Sequence, residues 1–509
     1  MKKLAITIIL VWAAYFGIQA QNILPSDMLM YSQTYPWGTA RAMGMGGAFG
    51  ALGADQTALS INPAGIGVYR TSDLSLTLSL NDNTSNATYF NHASSDFSDK
   101  LKIGNFGFVY TANSNKNQGW VSASFGVAYN RLNDFNRNIV IKNPSASSSL
   151  LDEFNYYAND QGRGALPTSD FYQYYEGIAW DTYLLNNSLY GNNWYDSPFS
   201  NGHTYGQSQK RERQIRGGIG ETAFSFGTNY SNKFYFGATI GIQSLTYEET
   251  TLHTETDVNN NIPDLSSFTF GQYLNTYGTG YNFKTGIIFK PIDLIRIGIA
   301  LHTPTFYNLN SEFHTSMDAY YDHPIGDQND PSSYSELDIR SENNALRTPW
   351  KFIGSLAFQF KQYGLLSVDY ERLNYSNMRL SGDHIIDQND NLSTDYQPGN
   401  NIRIGAEGKI GPFALRGGFG YYGTPYKNAD LKDITYKTYS AGIGFRGKSF
   451  YCDLAYVLLQ YPEKYLLYSW VESQDTSTGL PLPAWKNNPS VADINYNINR
   501  FVATIGFHF

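Results

Sequence analysis

Arg500-Phe501-Val502-Ala503-Thr504-Ile505-Gly506-Phe507-His508-Phe509 closes the chain. Read as a strand, whose side chains alternate between two faces, it sets Phe501, Ala503, Ile505, Phe507 and Phe509 on one side. Arg500, Thr504, Gly506 and His508 fall on the other, with Val502 among them. That division suits lipid against the aromatic face and water, ligand or packed polar groups against the inner one. The expected fold class is all-β, an antiparallel transmembrane β-barrel.

Composition agrees with this and narrows the alternatives. The chain has 509 residues, a formal net charge of -8 and one cysteine, with a mean hydropathy of -0.38. A protein crossing the membrane many times by helices would be far more apolar. Aromatic residues make up 16%, led by 41 Tyr, beside 47 Gly; a barrel uses rings for interfacial girdles and glycines where the wall crowds. Cys452 stands alone, so no intrachain disulfide or multi-cysteine metal site is available. The acidic balance argues against nucleic acid as a partner.

The N-terminus implies export. Lys2 and Lys3 precede an apolar run from Leu4 to Ile18, and Ala20 ends it before Gln21. This is the pattern of a cleaved secretory signal over 1–20. The run is short for a full span.

Residues 21–71 are glycine-rich and poor in alternation, and are expected to form a unit distinct from the barrel at 72–509. In the latter, fourteen alternating segments recur: 72–80, 103–111, 120–131, 220–230, 234–248, 277–290, 294–305, 350–360, 365–377, 401–410, 413–422, 438–447, 450–461 and 500–509. Leu74, Leu76, Leu78 and Leu80 oppose Ser75, Thr77 and Ser79; Ile295, Ile297, Ile299 and Leu301 oppose Arg296, Gly298 and His302. With the apolar set toward lipid, Arg296, Arg403, Glu407 and Arg416 project inward. The opposite assignment would cost roughly 2–4 kcal/mol for each basic group near the bilayer midplane. The links between segments alternate long and short, as in a membrane barrel with short inner turns and long outer loops. A soluble sandwich has no reason to sort its loops so.

Two N-terminal stretches are more specific: Gly38-Thr39-Ala40-Arg41-Ala42-Met43-Gly44-Met45-Gly46-Gly47-Ala48-Phe49 and Ala54-Asp55-Gln56-Thr57-Ala58-Leu59-Ser60-Ile61-Asn62-Pro63-Ala64-Gly65-Ile66. With the barrel pattern they resemble the FadL-type outer-membrane family, transporters of long-chain fatty acids and other hydrophobic molecules. The resemblance spans the mature chain and implies fourteen strands around an N-terminal plug, in the bacterial outer membrane. Ser60-Ile61 departs from the family's usual wording, in which an aromatic often precedes Asn-Pro-Ala. From the residues themselves, Gly44, Gly46 and Gly47 permit φ > 0 and close backbone approach, while Pro63 pushes Asn62 toward an extended conformation. Asn62-Pro63-Ala64 is read either as a plug element or as a turn leading into the first strand.

For a fatty acid, burial of about 16 methylenes at on the order of 0.8 kcal/mol each makes an apolar groove an effective capture site. The resemblance implies capture on outer loops, a lumenal pocket, a plug shift and passive lateral exit through the wall. In the longest loop, Ser169-Asp170 can cap a helix carrying Phe171, Tyr174, Tyr175, Ile178 and Leu185, with Leu150, Leu151 and Phe154 as a second apolar patch. These residues either form the groove or pack the loop onto the rim. Arg296, Arg403 and Arg416 either hold a carboxylate head group or pair with Glu407, Asp369 and Glu371.

No cofactor is expected. Asp387-Gln388-Asn389-Asp390-Asn391 and Asp257-Val258-Asn259-Asn260-Asn261 have calcium-like oxygen spacing, but Leu392 and Ile262 stand where an EF-hand turn needs glycine, so no metal is expected either. No Gly-x-Ser-x-Gly nucleophile is present, which argues against an enzyme. The expected partners are membrane lipid and a hydrophobic small molecule, for a protein acting as a monomer. The other class that stands is a barrel that binds a protein, as secretion shuttles of similar fold do, or haem.

Overall fold

Period-two alternation builds a wall that returns to its own first strand. The computed structural model describes residues 23–35, 37–114, 116–160, 164–188, 194–199, 205–325, 330–382, 389–390, 392–428, 434–468 and 491–509. The predicted signal at 1–20 lies outside them. Among the described residues, nineteen strands share one sheet, and fourteen of these pair antiparallel in a ring. They are β1 (Asp73–Tyr89), β2 (His92–Asn113), β3 (Trp120–Asp134), β4 (Ser208–Tyr230), β5 (Phe234–Thr256), β6 (Leu265–Ile292) and β7 (Ile295–His302). The ring continues with β8 (Lys351–Gln359), β9 (Gly364–Asn374), β10 (Pro398–Ile410), β11 (Phe413–Tyr422), β12 (Tyr436–Arg446), β13 (Phe450–Leu466) and β14 (Val491–His508).

Closure is made by the segment that ends the chain. Leu76 pairs with Ile505 and Leu80 with Phe501, and Ser72 and Phe509 exchange backbone bonds of 3.0 and 3.1 Å. Leu74, Leu76, Leu78, Ile297, Ile299, Phe501 and Ile505 are exposed, whereas Ser75, Thr77, Arg403, Arg416 and Thr504 are buried. An apolar exterior around a polar interior identifies a membrane-spanning wall. Trp120 against Tyr230 and Phe234 against Phe289, with ring centroids 5.2 and 4.6 Å apart, form part of an aromatic girdle at the short-turn end.

The structure corrects the lengths of the links. β1 and β2 continue through the stretch expected to be loop and meet at a tight turn on Phe90 and Asn91, with φ of 46° and 64°. Likewise β4, β5 and β6 run for 23, 23 and 28 residues, well beyond the roughly 9–11 that a bilayer needs. Phe306–Tyr321 and Arg340–Arg347 extend the sheet where a long loop was expected. Sequence pattern missed these extensions because both faces are polar or mixed: outside is water, and inside is packed protein. The largest hydrophobic cluster lies there, joining Tyr89, Ile215, Leu245 and Phe268 of the extended wall to Leu151, Phe154 and Ile178 of the long connection.

Candidate functional site

The N-terminal segment lies against the inner face of the wall. Thr39 caps the short helix Ala40–Gly44, its Oγ1 accepting from the Ala42 amide, while the Ala40 amide donates to Thr504 Oγ1 of β14 at 2.7 Å. Gly46 and Gly47 turn the chain with φ of 63° and 73°. A Cβ at Gly46 would lie 3.0 Å from the Phe419 amide nitrogen, so only glycine fits that approach to β11. The Phe49 and Gly50 amides then donate to the Asp369 carboxylate of β9 at 3.0–3.2 Å. Asn62 is extended, as the residue before a proline should be. Its Nδ2 donates to Gly50 O at 2.6 Å and its Oδ1 accepts from the Ala64 amide, so Asn62-Pro63-Ala64 closes the segment on itself and starts the turn Pro63–Val68.

Above this segment is a cavity of about 530 Å³. The helix Pro25–Ser32 forms one side, with Asp27 accepting from the Leu24 amide at 2.9 Å. Burial pushes the Asp27 carboxyl up to about 7. Opposite are Tyr436 and Tyr461, two of a row of tyrosines set by strand register. Tyr422, Tyr436, Tyr461 and Tyr496 stand at one level on β11 to β14, with Tyr422 paired to Tyr436 and Tyr461 to Tyr496. Cross-strand neighbours of this kind bring rings into contact. Tyr35, Tyr436, Tyr461 and Tyr496 stack with successive centroids 4.9, 4.4 and 4.5 Å apart. Arg213 pairs with Glu249 at 2.8 Å and Glu463 at 3.4 Å, and Arg137 donates to the Tyr461 hydroxyl at 2.9 Å.

Beside the cavity the wall ladder is interrupted. β2 and β3 pair from Asn113↔Ser122 to Asn105↔Asn130 and then stop. β3 carries a bulge at Leu132 and bends inward, so Asp134 and Asn136 are met by Asn81 and Asn83 of the inner face of β1. The bulge bonds to the N-terminal segment instead of β2: the Tyr35 amide donates to Leu132 O at 3.0 Å, and the Asn133 side-chain Nδ2 donates to Gln33 O at 3.0 Å. Higher up, contact resumes where Asn138 Nδ2 donates to Phe97 O at 2.9 Å. Trp37 lies behind the interruption, with the guanidinium carbons of Arg500 and Arg131 3.5 and 5.8 Å from its ring centre.

The residues singled out in the sequence fall into three places. Leu150, Leu151, Phe154, Phe171, Ile178 and Leu185 are buried in the outer hydrophobic cluster, with Tyr175 packed against it and lining the cavity; the Tyr174 ring lies tilted against Phe313. The expected helix after Ser169 differs. Thr168–Asp170 is a tight turn, Gln173–Gly177 a π-turn and only Ile178–Asp181 α-helical. Thr182 Oγ1 donates back to Ile178 O and Tyr183 takes φ of 61°, which ends the helix before Leu185. The regular helix is instead Leu150–Ala158, with a capping box between Ser149 and Asp152.

Arg403 lies 3.0 Å from Glu371 and 3.6 Å from Asp369; Arg416 lies 2.7 Å from both Glu407 and Asp453. Arg296 donates to Leu52 O at 2.6 Å, and Arg41 joins Glu407 at 3.2 Å. Arg296, Arg403 and Arg416 therefore meet wall carboxylates or the N-terminal segment. Asp257 accepts from the Asn259 and Ile262 amides within its own turn, whereas Asp387, Gln388 and Asn391 lie outside the described residues. No metal-ligating cluster occurs among the described residues. The tyrosine row and the ladder break escaped the sequence reading. The row was visible only as a composition rich in Tyr, because its register depends on strand pairing.

A closed membrane barrel with its own N-terminal residues against the inner face is the architecture of bacterial outer-membrane channels. No protein-family model matches the chain, and no curated protein matches it by sequence. Among solved structures it is similar to the P. putida toluene transporter TodX, with 12% identity, a TM-score of 0.54 and coverage of 94% of this chain and 99% of that one. It is also similar to a Pseudomonas aeruginosa FadL homologue, with 14% identity, a TM-score of 0.53 and the same coverage. The fold is the FadL-type barrel.

Proposed function

We propose that this protein is an outer-membrane channel for passive uptake of hydrophobic small molecules. The observation that carries this is the interrupted ladder between β2 and β3, bonded to the N-terminal segment and backed by a small pocket that shares Met30, Gln33, Arg137, Tyr436 and Tyr461 with the internal cavity. A water-filled pore would reject an apolar solute, but a cavity opening sideways delivers it to lipid without crossing water. The outer cluster around Leu151, Phe154, Phe171 and Ile178 acts as the cap through which substrate enters. Residues 21–71 act as the plug, and Arg296, Arg403 and Arg416 brace it to the wall. Because the barrel closes within one chain, one copy suffices, and transport runs down the substrate's gradient. The likeness of fold to the toluene transporter TodX and to a FadL homologue supports this function.

A tether tests it. The Ala40 amide lies 2.7 Å from Thr504 Oγ1, which keeps the two Cα atoms within the upper limit of about 6.8 Å that a disulfide bridges. In a C452S background, A40C/T504C is expected to abolish uptake of labelled hydrophobic probes, such as an alkylbenzene or a fatty acid, into reconstituted vesicles. Reduction restores it. Equal uptake in the oxidised and reduced states would show that transport needs no plug movement.

A further inference from the structure

The cavity's chemistry narrows the substrate class. We infer that the molecule it takes is compact, uncharged and rich in oxygen acceptors, with ether, hydroxyl or carbonyl groups on an apolar ring body, and is neither a pure hydrocarbon nor a free carboxylate. The inference rests on the channel function proposed above.

Three phenols point to acceptors. The Tyr175 hydroxyl accepts from Gln272 Nε2 at 3.2 Å, that of Tyr461 from Arg137 Nη1 at 2.9 Å and that of Tyr465 from Arg211 Nη1 at 3.0 Å. Each oxygen thus has its acceptor role filled by a nitrogen donor, and each keeps its own O–H to give away. All three residues line the cavity. Arg137 also lines it, and its Nε is buried with no hydrogen-bond partner. A ligand oxygen among these groups satisfies donors that an alkane or an unsubstituted arene would leave unmet in a desolvated site, which is costly.

Charge excludes the carboxylate. Arg213 is already held between Glu249 and Glu463, and Asp27 lies on the same cavity. A free anion there would add an uncompensated charge to a site in which the Arg213 and Arg137 guanidiniums already balance Glu249 and Glu463. A neutral ligand meets no such opposition. The apolar part of the requirement comes from the stacked Tyr436 and Tyr461 rings with Leu24, Met30 and Leu274 beside them.

Three probes of one ring system separate the possibilities: 2-naphthyl β-glucoside, naphthalene and 2-naphthoate, each equilibrated with the full chain in lipid nanodiscs, with empty nanodiscs subtracted. The glucoside is expected to be retained at least ten times more tightly than either of the others. Y175F/Y461F/Y465F keeps the rings and removes the three O–H donors, and is expected to lose that preference while holding naphthalene as before; heat-modifiable migration on gels checks that its barrel is folded. Naphthalene or naphthoate bound as tightly as the glucoside by the unmutated protein would overturn the inference and leave the channel function standing. Retention of none of the three would overturn both.

Discussion

Asp369 shows how one side chain joins the wall to the N-terminal segment. Its carboxylate accepts the Phe49 and Gly50 amides and lies beside Arg403, itself bonded to Glu371. Replacing it with alanine leaves two buried amides without an acceptor and an arginine with one carboxylate fewer. Breaking such a buried pair costs about 3–5 kcal/mol. D369A is therefore expected to loosen the segment around Gly46–Leu52, seen as faster amide exchange there and as greater sensitivity of cells to small hydrophilic antibiotics. If neither changes, the other contacts alone hold the N-terminal segment. The outer surface gives the converse case. Ile299 is 52% exposed in mid-strand, and I299R places a cation in lipid at a cost of roughly 2–4 kcal/mol. Guanidinium unfolding in vesicles is expected to show that loss, and an unchanged midpoint would mean that this face does not meet acyl chains.

At the scale of elements, the outer cap is coupled to protons. Asp152 closes the capping box of Leu150–Ala158 and also accepts from the Tyr205 hydroxyl; burial pushes its carboxyl up to about 8. Burial likewise raises Glu176, in the neighbouring turn, to about 7. Against ordinary values of 3.8 and 4.5, the closed cap binds more protons than the opened one. The cap is then most stable below about pH 4, weakens as pH rises through 7 and 8, and levels off above. Amide exchange in Leu150–Ala158, corrected for intrinsic rates, should show stronger protection at pH 5 than at pH 8.5, and D152N should reduce the difference; a flat profile in the unmutated protein would contradict the coupling. This cap also marks where sequence stops being informative. Strands such as Phe413–Tyr422, buried on one side and lipid-facing on the other, were legible to the residue because two solvents impose a strict alternation. Where water lies outside and protein inside, as at Asn81–Tyr89, the alternation fades and strand reads as loop. The helix at Leu150 escaped because its capping box lies in a connection with no regular neighbours, while the tyrosine row needed the pairing of four strands to exist at all.

For the whole molecule, the decisive feature is a departure from regularity in an otherwise continuous ring. Leu132 is the extra residue of a bulge, since Arg131 pairs with Gly220 and Asn133 with Ile219 across one step of β4. Bulges bend the strand that carries them and aim it away from its neighbour. Here the bend takes Asp134 and Asn136 to the inner face of β1 and leaves Leu132 O for the Tyr35 amide. Deleting Leu132 brings β3 back into step with β4 and removes the inward bend, so that it can continue its ladder with β2 beyond Asn105↔Asn130. The same deletion takes away one tie between wall and N-terminal segment. A sealed wall and a freer plug make opposite demands on the route of exit. If substrate leaves sideways, the deletion should cut uptake by about tenfold or more while binding in the cavity persists, because the residues lining the latter come mostly from other strands. If it leaves downward past the plug, uptake should hold or rise. Vesicle uptake of one hydrophobic probe, measured alongside its binding to the same preparation, distinguishes the two routes.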